Sequence, residues 1–203
     1  MPSGSQPVDR TPVHPAWLRV MHWLNVIAVV ALVMSGWRIY NAFPILSFKF
    51  PASITLGGWL GGALLWHFAA MWLLFLNGLA YLAMNVVTGR LKRRFWPLAP
   101  REIWRDFNEA LRGRLAHDDL RHYNAVQKAA YLFVILDLVV LVLSGLVVWK
   151  PVQFPLLREL MGGFDAARVV HFVGMVLLVA FVAVHVAMVA LVPRTFPLIF
   201  RAR

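Results

Sequence analysis

The chain has no cysteine among its 203 residues, which excludes disulfide bonds and metal sites built from thiolates. It also excludes covalent haem attachment, which needs a C-x-x-C-H motif. Charged side chains are scarce as well, at 14% of the chain against about 25% in an average soluble domain. Hydrophobic residues instead make up 61%. The composition therefore predicts a membrane protein in which any metal is held by ligands other than cysteine.

Acidic residues are few: nine Asp and Glu stand against 20 Lys and Arg, which gives a formal net charge of +11. Nucleic-acid-binding proteins also carry such a charge, but here the basic residues lie in loops between apolar segments, where the positive-inside rule accounts for them. No nucleic-acid partner is predicted. The sequence also lacks a G-x-S-x-G elbow, a phosphate-binding loop and a dinucleotide fingerprint.

Four apolar segments are long enough to cross about 30 Å of hydrocarbon as helices. They run from about residue 17 to 37, 59 to 87, 126 to 149 and 168 to 192. The segment before the first span has no apolar signal-peptide core, so we expect that span to stay in the mature protein. The prediction is a single all-α domain over residues 1–203, an integral membrane four-helix bundle with a loop at about residues 88–125.

The loop charges predict the orientation of the bundle. Fifteen of the 20 Lys and Arg residues lie in the N-terminal region, in the loop between the second and third spans, and in the C-terminal tail. The opposite side carries only Arg38, Lys49, Lys150, Arg158 and Arg168. The positive-inside rule therefore predicts a multi-pass protein with both termini in the cytoplasm.

Four histidines lie within the apolar spans, where an imidazole is costly unless something binds it. His171 and His185 are fourteen residues apart, so they share one face of the fourth span with a rise of about 21 Å between them. Counted from the cytoplasmic ends of the spans, His67 is level with His171, and His22 is level with His185. The histidines thus form two predicted pairs at two depths.

Two facing imidazoles at each of two depths are the ligand set that two six-coordinate b-type haems need. Bis-histidine ligation closes both axial positions of the iron and favours electron transfer over oxygen chemistry. Glycines would give a flat macrocycle room against the backbone, and the candidates are Gly36, Gly57, Gly58, Gly61, Gly62, Gly145 and Gly174. The alternatives are hydrogen-bonded histidines without a cofactor, or a zinc or copper site, although such sites usually gather three or four ligands at one depth.

The histidine pattern resembles that of a known family. A histidine early in the first span (RVMHWLN), one in the second (LLWHFAAMW) and two in the fourth are similar to those of the bacterial cytochrome b561 and nickel-iron hydrogenase cytochrome b superfamily. The resemblance covers about residues 15–192. It implies a bacterial inner-membrane subunit with two haems b, ligated by His67 with His171 and by His22 with His185.

The central loop carries two further signals. Its segment REIWRDFNEALRGRL has apolar residues at spacings of three and four, which predict an interfacial helix, and the loop resembles that of the thiosulfate-reductase-type branch. The motif HYNAVQKAAY, residues 122–131, resembles the one with which these subunits begin their third helix beside a quinone pocket. The resemblance implies that Asn124 and Gln127 hydrogen-bond a quinone near His22 and His185. The alternative is an ordinary helix start capped by Asn124.

Asp137 lies in the middle of the third span, where a charge is costly. We interpret it as a protonated carboxyl that faces the bundle. The alternatives are that it tunes a haem, bonds a neighbouring helix or carries a proton.

The favoured function is that of a dihaem b-type cytochrome of the respiratory chain, which transfers electrons across the membrane between the quinone pool and a periplasmic redox partner. The candidate partners are a molybdopterin oxidoreductase, a hydrogenase and a soluble c-type cytochrome. In this interpretation the chain has no catalytic residue of its own. One alternative is a stand-alone cytochrome b561-type oxidoreductase that passes electrons from a small reductant such as superoxide to quinone. Another is a metal or proton carrier that uses the histidines and Asp137.

Overall fold

The computed structural model describes residues 15–89 and 125–191, and every regular element within them is helical. The helices are α1 (Ala16–Ala42), α2 (Leu60–Val87), α3 (Ala125–Trp149), the short α4 (Pro155–Leu160) and α5 (Phe164–Leu191), with a 3-10 turn at Ala52–Ile54. Within these ranges, α1, α2, α3 and α5 are long and apolar enough to cross a membrane. The predicted all-α class with four spans is confirmed. The interfacial helix predicted at residues 101–115 lies outside the described residues.

Two helices extend beyond the predicted span ends. α1 continues past Trp37 to Ala42, and it stops there because Phe43 precedes a proline and leaves the helical conformation, with φ −145° and ψ 79°. α5 begins at Phe164, directly after two glycines with φ of +80° and +101°. An apolar run marks only the part of a helix that lies in hydrocarbon, whereas the helix itself ends where the backbone turns away.

The long helices form two hairpins: α1 packs on α2 in the first, and α3 packs on α5 in the second. Small side chains are buried in both. They are Ala28, Ser35, Ala63 and Ala70 in the first hairpin, and Ser144, Ala167 and Gly174 in the second. Small residues let helix backbones approach closely, which favours association in lipid, where no hydrophobic force draws helices together. Large apolar side chains cover the outside of all four helices, as is typical of a surface that meets lipid.

A buried asparagine fixes α1 against α2 within the first hairpin. Nδ2 of Asn77 donates to the Met21 carbonyl at 2.8 Å and to Oδ1 of Asn25 at 2.7 Å. Hydrogen bonds between membrane helices contribute roughly 0.6 kcal/mol each on average. The contact therefore sets the register of the two helices immediately beside His22.

We call the end of the bundle that carries residues 43–59 and 150–163 the outer end, and the opposite end the inner end. At the outer end the connection between α1 and α2 folds back along α1, where the Leu56 N–H donates to the Met34 carbonyl at 3.0 Å. The turn that allows this contains Gly57 at φ +105°. A Cβ on Gly57 would overlap the backbone nitrogen of Ala63 at the start of α2.

Side chains at the outer end also join the two hairpins. The guanidinium of Arg168 on α5 donates to the Phe43 carbonyl at 2.8 Å and lies 4.7 Å from the centre of the Phe43 ring. The Tyr40 ring on α1 stacks on the Phe172 ring with 5.1 Å between centroids. These contacts hold the end of α1 against the beginning of α5.

We expect Gly57→Ala to lower the free energy of unfolding by about 2–4 kcal/mol, because alanine is strained at this φ and its Cβ overlaps α2. Gly78→Ala is the matched control: Gly78 lies within α2, where a Cβ would meet nothing within 4 Å. Alanine there should leave stability unchanged or raise it by about 1 kcal/mol. Chemical unfolding in detergent, followed by circular dichroism, measures both variants, and equal stabilities would contradict the constraint at Gly57.

Candidate functional site

The structure brings the four membrane histidines together as two pairs, each with one member from either hairpin. His22 on α1 faces His185 on α5, with 6.2 Å between ring centroids and 62° between ring planes. His67 on α2 faces His171 on α5, with 6.4 Å and 63°. We call these the inner pair and the outer pair. The partners are those expected from the depth count, and their role as axial ligands remains a prediction.

The spacing within each pair suits a metal ion between the rings. A metal–imidazole bond of about 2 Å, with about 1 Å from nitrogen to ring centre on each side, gives about 6 Å between centroids. A direct hydrogen bond of about 3 Å between two ring nitrogens would give only about 5 Å. The observed 6.2 and 6.4 Å match the first arrangement.

The number of ligands distinguishes between kinds of metal site. In the part of the chain that the structure describes, no group of three or more His, Cys, Asp or Glu residues is placed to hold a metal ion. Zinc held by only two imidazoles would lack the further ligands that it usually takes from protein, whereas the iron of a haem arrives with four porphyrin nitrogens. The two pairs therefore fit haem better than a bare ion.

Two buried serines support the outer pair. Oγ of Ser35 on α1 lies 3.0 Å from Nδ1 of His67, and Oγ of Ser144 on α3 lies 3.0 Å from Nδ1 of His171. Both serines are 0% exposed. Each hydroxyl also donates to the carbonyl four residues earlier in its own helix, at 2.6 Å for Ser35 and 2.7 Å for Ser144. In each hairpin the serine thus lies on the first helix and the histidine on the second.

These contacts assign the tautomer of the outer-pair rings. Each serine hydrogen is directed at a carbonyl, so the serine oxygen accepts a hydrogen bond from the ring, and Nδ1 of both His67 and His171 carries the hydrogen. The Leu141 carbonyl, 3.1 Å from Nδ1 of His171, is a second acceptor for that ring. Nε2 of each ring is then the nitrogen with a free lone pair, which is the form that binds a metal.

Only some of the predicted glycines lie against these rings. A Cβ on Gly36 would come within 3.5 Å of Cε1 of His67, and one on Gly145 within 3.2 Å of Cε1 of His171. Gly57 and Gly62 instead lie against each other's backbone at the start of α2, and Gly61 lies against the Trp59 ring. Gly174 allows α5 to approach Leu141 and Asp137 on α3, and Gly58 meets nothing within 4 Å. Only Gly36 and Gly145 make the space beside a histidine that the sequence predicted.

The inner pair has different neighbours. The ring of His22 lies edge-on to Trp23 at 5.7 Å, and that of His185 is nearly parallel to Phe181 at 6.1 Å. Within residues 15–89 and 125–191, neither ring has a serine or carbonyl hydrogen-bond partner, and His185 is exposed at the surface of α5. Aromatic rings and the register set by Asn77 thus position the inner pair.

Asp137 lies within the second hairpin. It is 7% exposed and borders an apolar groove of about 350 Å³ between α3 and α5, where a Cβ on Gly174 would lie 3.3 Å from Oδ1. Oδ2 has no hydrogen-bond partner in the described part of the chain. An ionised carboxylate is costly in such surroundings, which favours the protonated form.

The predicted quinone residues are described only in part. Asn124 lies outside the described residues, and for Gln127 only the helical backbone at the start of α3 is described.

Sequence reasoning missed Ser35 and Ser144. Their signal is a Ser–Gly dipeptide that recurs in the first and third spans, in MSGW and LSGL.

Comparison with known proteins identifies the family. The family model for prokaryotic cytochrome b561 matches residues 13–199. The putative protein-methionine-sulfoxide reductase subunit YedZ1 of Azospira oryzae is 68% identical over 183 residues, which cover 90% of this chain and 92% of that protein. No solved structure matches the chain. The resemblance inferred from the histidine pattern is confirmed, and the chain belongs to the prokaryotic cytochrome b561 family, whose members are helical membrane cytochromes with b-type haem.

Proposed function

We propose that this chain holds two b-type haems, one at the inner pair and one at the outer pair, and transfers electrons across the membrane for a larger oxidoreductase. Family membership supports a membrane haem electron-transfer subunit. The observation that carries the proposal is the presence of two histidine pairs at two levels of one bundle. Their ring centroids lie 6.2 and 6.4 Å apart, a spacing that suits a metal ion between the rings. α5 contributes a ligand to each level through His171 and His185.

The residues at each level hold and orient the cofactor. A haem b held by two histidines would supply reversible one-electron transfer. In the outer pair, Ser35 and Ser144 keep Nδ1 protonated, so that Nε2 of each ring is available as a ligand. In the inner pair, the Trp23 ring lies edge-on to His22, and the Phe181 ring lies nearly parallel to that of His185. The apolar outer surfaces of the helices keep water away from both levels.

We further propose that the inner end faces the cytoplasm of a bacterial cell and the outer end faces the periplasm. The support is the charge distribution along the sequence: fifteen of the 20 Lys and Arg residues lie in the N-terminal region, around the connection between α2 and α3, and in the C-terminal tail. The bundle would then connect a quinone at the cytoplasmic side with an acceptor at the periplasmic side. Gln127 in the first turn of α3 and Asn124, which precedes this helix in the sequence, are the proposed hydrogen-bond donors to the quinone.

The name of the Azospira oryzae relative suggests the acceptor, a protein-methionine-sulfoxide reductase. Reduction of a sulfoxide to a thioether consumes two electrons and two protons and releases water. Among the candidate partners predicted from the sequence, a molybdopterin oxidoreductase stays the first choice, before a hydrogenase and a soluble c-type cytochrome. The outer-end segments 43–59 and 150–163 carry Lys49, Lys150 and Arg158 against Glu159, a balance that would attract an acidic surface on the partner.

Removal of one histidine should remove one haem. We expect two haems b per wild-type chain and about one in each of His67→Ala and His185→Ala, because an iron with a single protein ligand is held weakly. His14→Ala, outside the spans, is the control and should retain both. Pyridine haemochrome quantification of purified protein, with reduced-minus-oxidised spectra, measures the content. Two haems in every variant would exclude the assigned ligands, and a colourless wild-type protein that binds zinc or copper would favour the carrier hypothesis.

Substitution of the quinone residues should impair reduction and leave haem content intact. In Asn124→Leu and Gln127→Leu the side chain no longer hydrogen-bonds a quinone carbonyl, so we expect the rate of haem reduction by a water-soluble quinol to fall about five- to tenfold, given roughly 1–1.5 kcal/mol per lost hydrogen bond. Asn108→Leu, in the same loop, is the control. Stopped-flow absorbance measures the rate. Unchanged rates in both variants would place the quinone elsewhere.

The partner can be tested by reoxidation of the reduced protein. In liposomes, the dithionite-reduced chain should be reoxidised rapidly only when both a methionine sulfoxide reductase and methionine sulfoxide are present. Omission of either component should slow the reaction at least tenfold. Fast electron transfer from superoxide to quinone by the chain alone would instead support the stand-alone oxidoreductase.

A further inference from the structure

The two histidine pairs differ in whether Nδ1 of each ring has a hydrogen-bond acceptor. In the outer pair, Nδ1 of His67 and of His171 each meets a serine oxygen at 3.0 Å. In the inner pair, the described residues offer His22 and His185 aromatic neighbours and no such acceptor. Two levels with the same ligand type thus have unlike surroundings.

The serine contacts are built into the hairpins rather than added at their surface. Ser35 and Ser144 are both fully buried, so water does not compete for their oxygens. Each hydroxyl is held by its own helix through a carbonyl four residues earlier. The glycine that follows each serine leaves room for the imidazole, since a Cβ there would lie 3.2–3.5 Å from Cε1 of the ring.

An acceptor at Nδ1 changes the chemistry at Nε2. When the Nδ1–H of a ligating histidine donates a hydrogen bond, the ring becomes a more basic ligand and its orientation is fixed. A more basic ligand donates more electron density to the metal and stabilises the oxidised ion over the reduced one. Acceptors on both sides of one iron therefore act in the same direction and lower its midpoint potential.

We propose that Ser35 and Ser144 are positioning residues that hold His67 and His171 as Nδ1–H donors and thereby lower the midpoint potential of the outer haem alone. The proposal rests on the proposed function, in which each histidine pair ligates one haem. It assigns to two hydroxyl groups, one from each hairpin, a lowering of the potential that the inner site does not receive from them. The inner haem lacks this pair of acceptors in the described residues.

The test is a potentiometric titration of the purified full-length holoprotein and its serine variants. Two one-electron components are expected for the wild type, and the component that disappears in His171→Ala is the outer haem. In Ser35→Ala and in Ser144→Ala, the outer component should shift to higher potential while the inner component stays in place. A backbone carbonyl also accepts from each ring, that of Leu32 from His67 and that of Leu141 from His171, so each single variant should shift only in part and the double variant should shift furthest.

Two further variants separate positioning from a general loss of packing. Ser35→Thr keeps a hydroxyl that can bond the same helical carbonyl, so its outer component should stay at the wild-type potential and not shift as in Ser35→Ala. Thr88→Val is the matched control: the Thr88 hydroxyl also bonds a carbonyl four residues earlier, at 2.6 Å, but it lies at the far end of α2 from His67. This variant should change neither component. If an alanine variant loses haem, the cysteine variant, a weaker acceptor, should show a smaller upward shift.

The outcomes are distinct. An upward shift confined to the outer component and reversed by threonine supports the proposal. Unmoved potentials in a protein with two haems, or equal shifts of both components, would overturn it and leave the proposed function intact. A wild-type protein without haem would instead reject the proposed function itself.

Discussion

The arrangement of this protein depends on the need to satisfy imidazole nitrogens in a region without water. A histidine within a membrane span has two ring nitrogens, and neither finds solvent there. In the outer pair, one nitrogen of each ring bonds a buried serine, and the other is left for a metal. Centroid spacings of 6.2 and 6.4 Å exceed that of a direct hydrogen bond and match two metal–nitrogen bonds. Under the proposed function, a bound cofactor would satisfy the second nitrogen of each buried ring.

The histidine pairs also connect the two hairpins. α1 packs chiefly on α2 and α3 chiefly on α5, and each histidine pair takes one member from each hairpin. Direct side-chain links between hairpins lie at the outer end, where Arg168 meets Phe43 and Tyr40 stacks on Phe172. Ligation at two levels would therefore connect the hairpins along the rest of their length, so that cofactor binding and assembly of the bundle support each other.

The two hairpins support the outer pair with the same arrangement of residues. Each has a Ser–Gly dipeptide on its first helix and the supported histidine on its second. The glycine provides space for the ring, and the serine provides an acceptor that its own helix holds in place. The inner pair has aromatic neighbours instead. In the proposed function, these unlike surroundings would give two levels with identical ligands different properties.

The sequence by itself determined the number of spans, the all-helical class and the depth of each histidine, because apolar length and the constant rise of a helix are properties of one segment at a time. It did not reveal that Ser35 and Ser144 support the outer pair, or that Gly57 and Gly62 serve a turn rather than a cofactor. Nor did it indicate that α1 runs on to Ala42. Those features depend on which face of one helix meets another and on where the backbone turns. Only the tertiary structure decided them, because rotation about a helix axis is fixed by contacts between segments far apart in the chain.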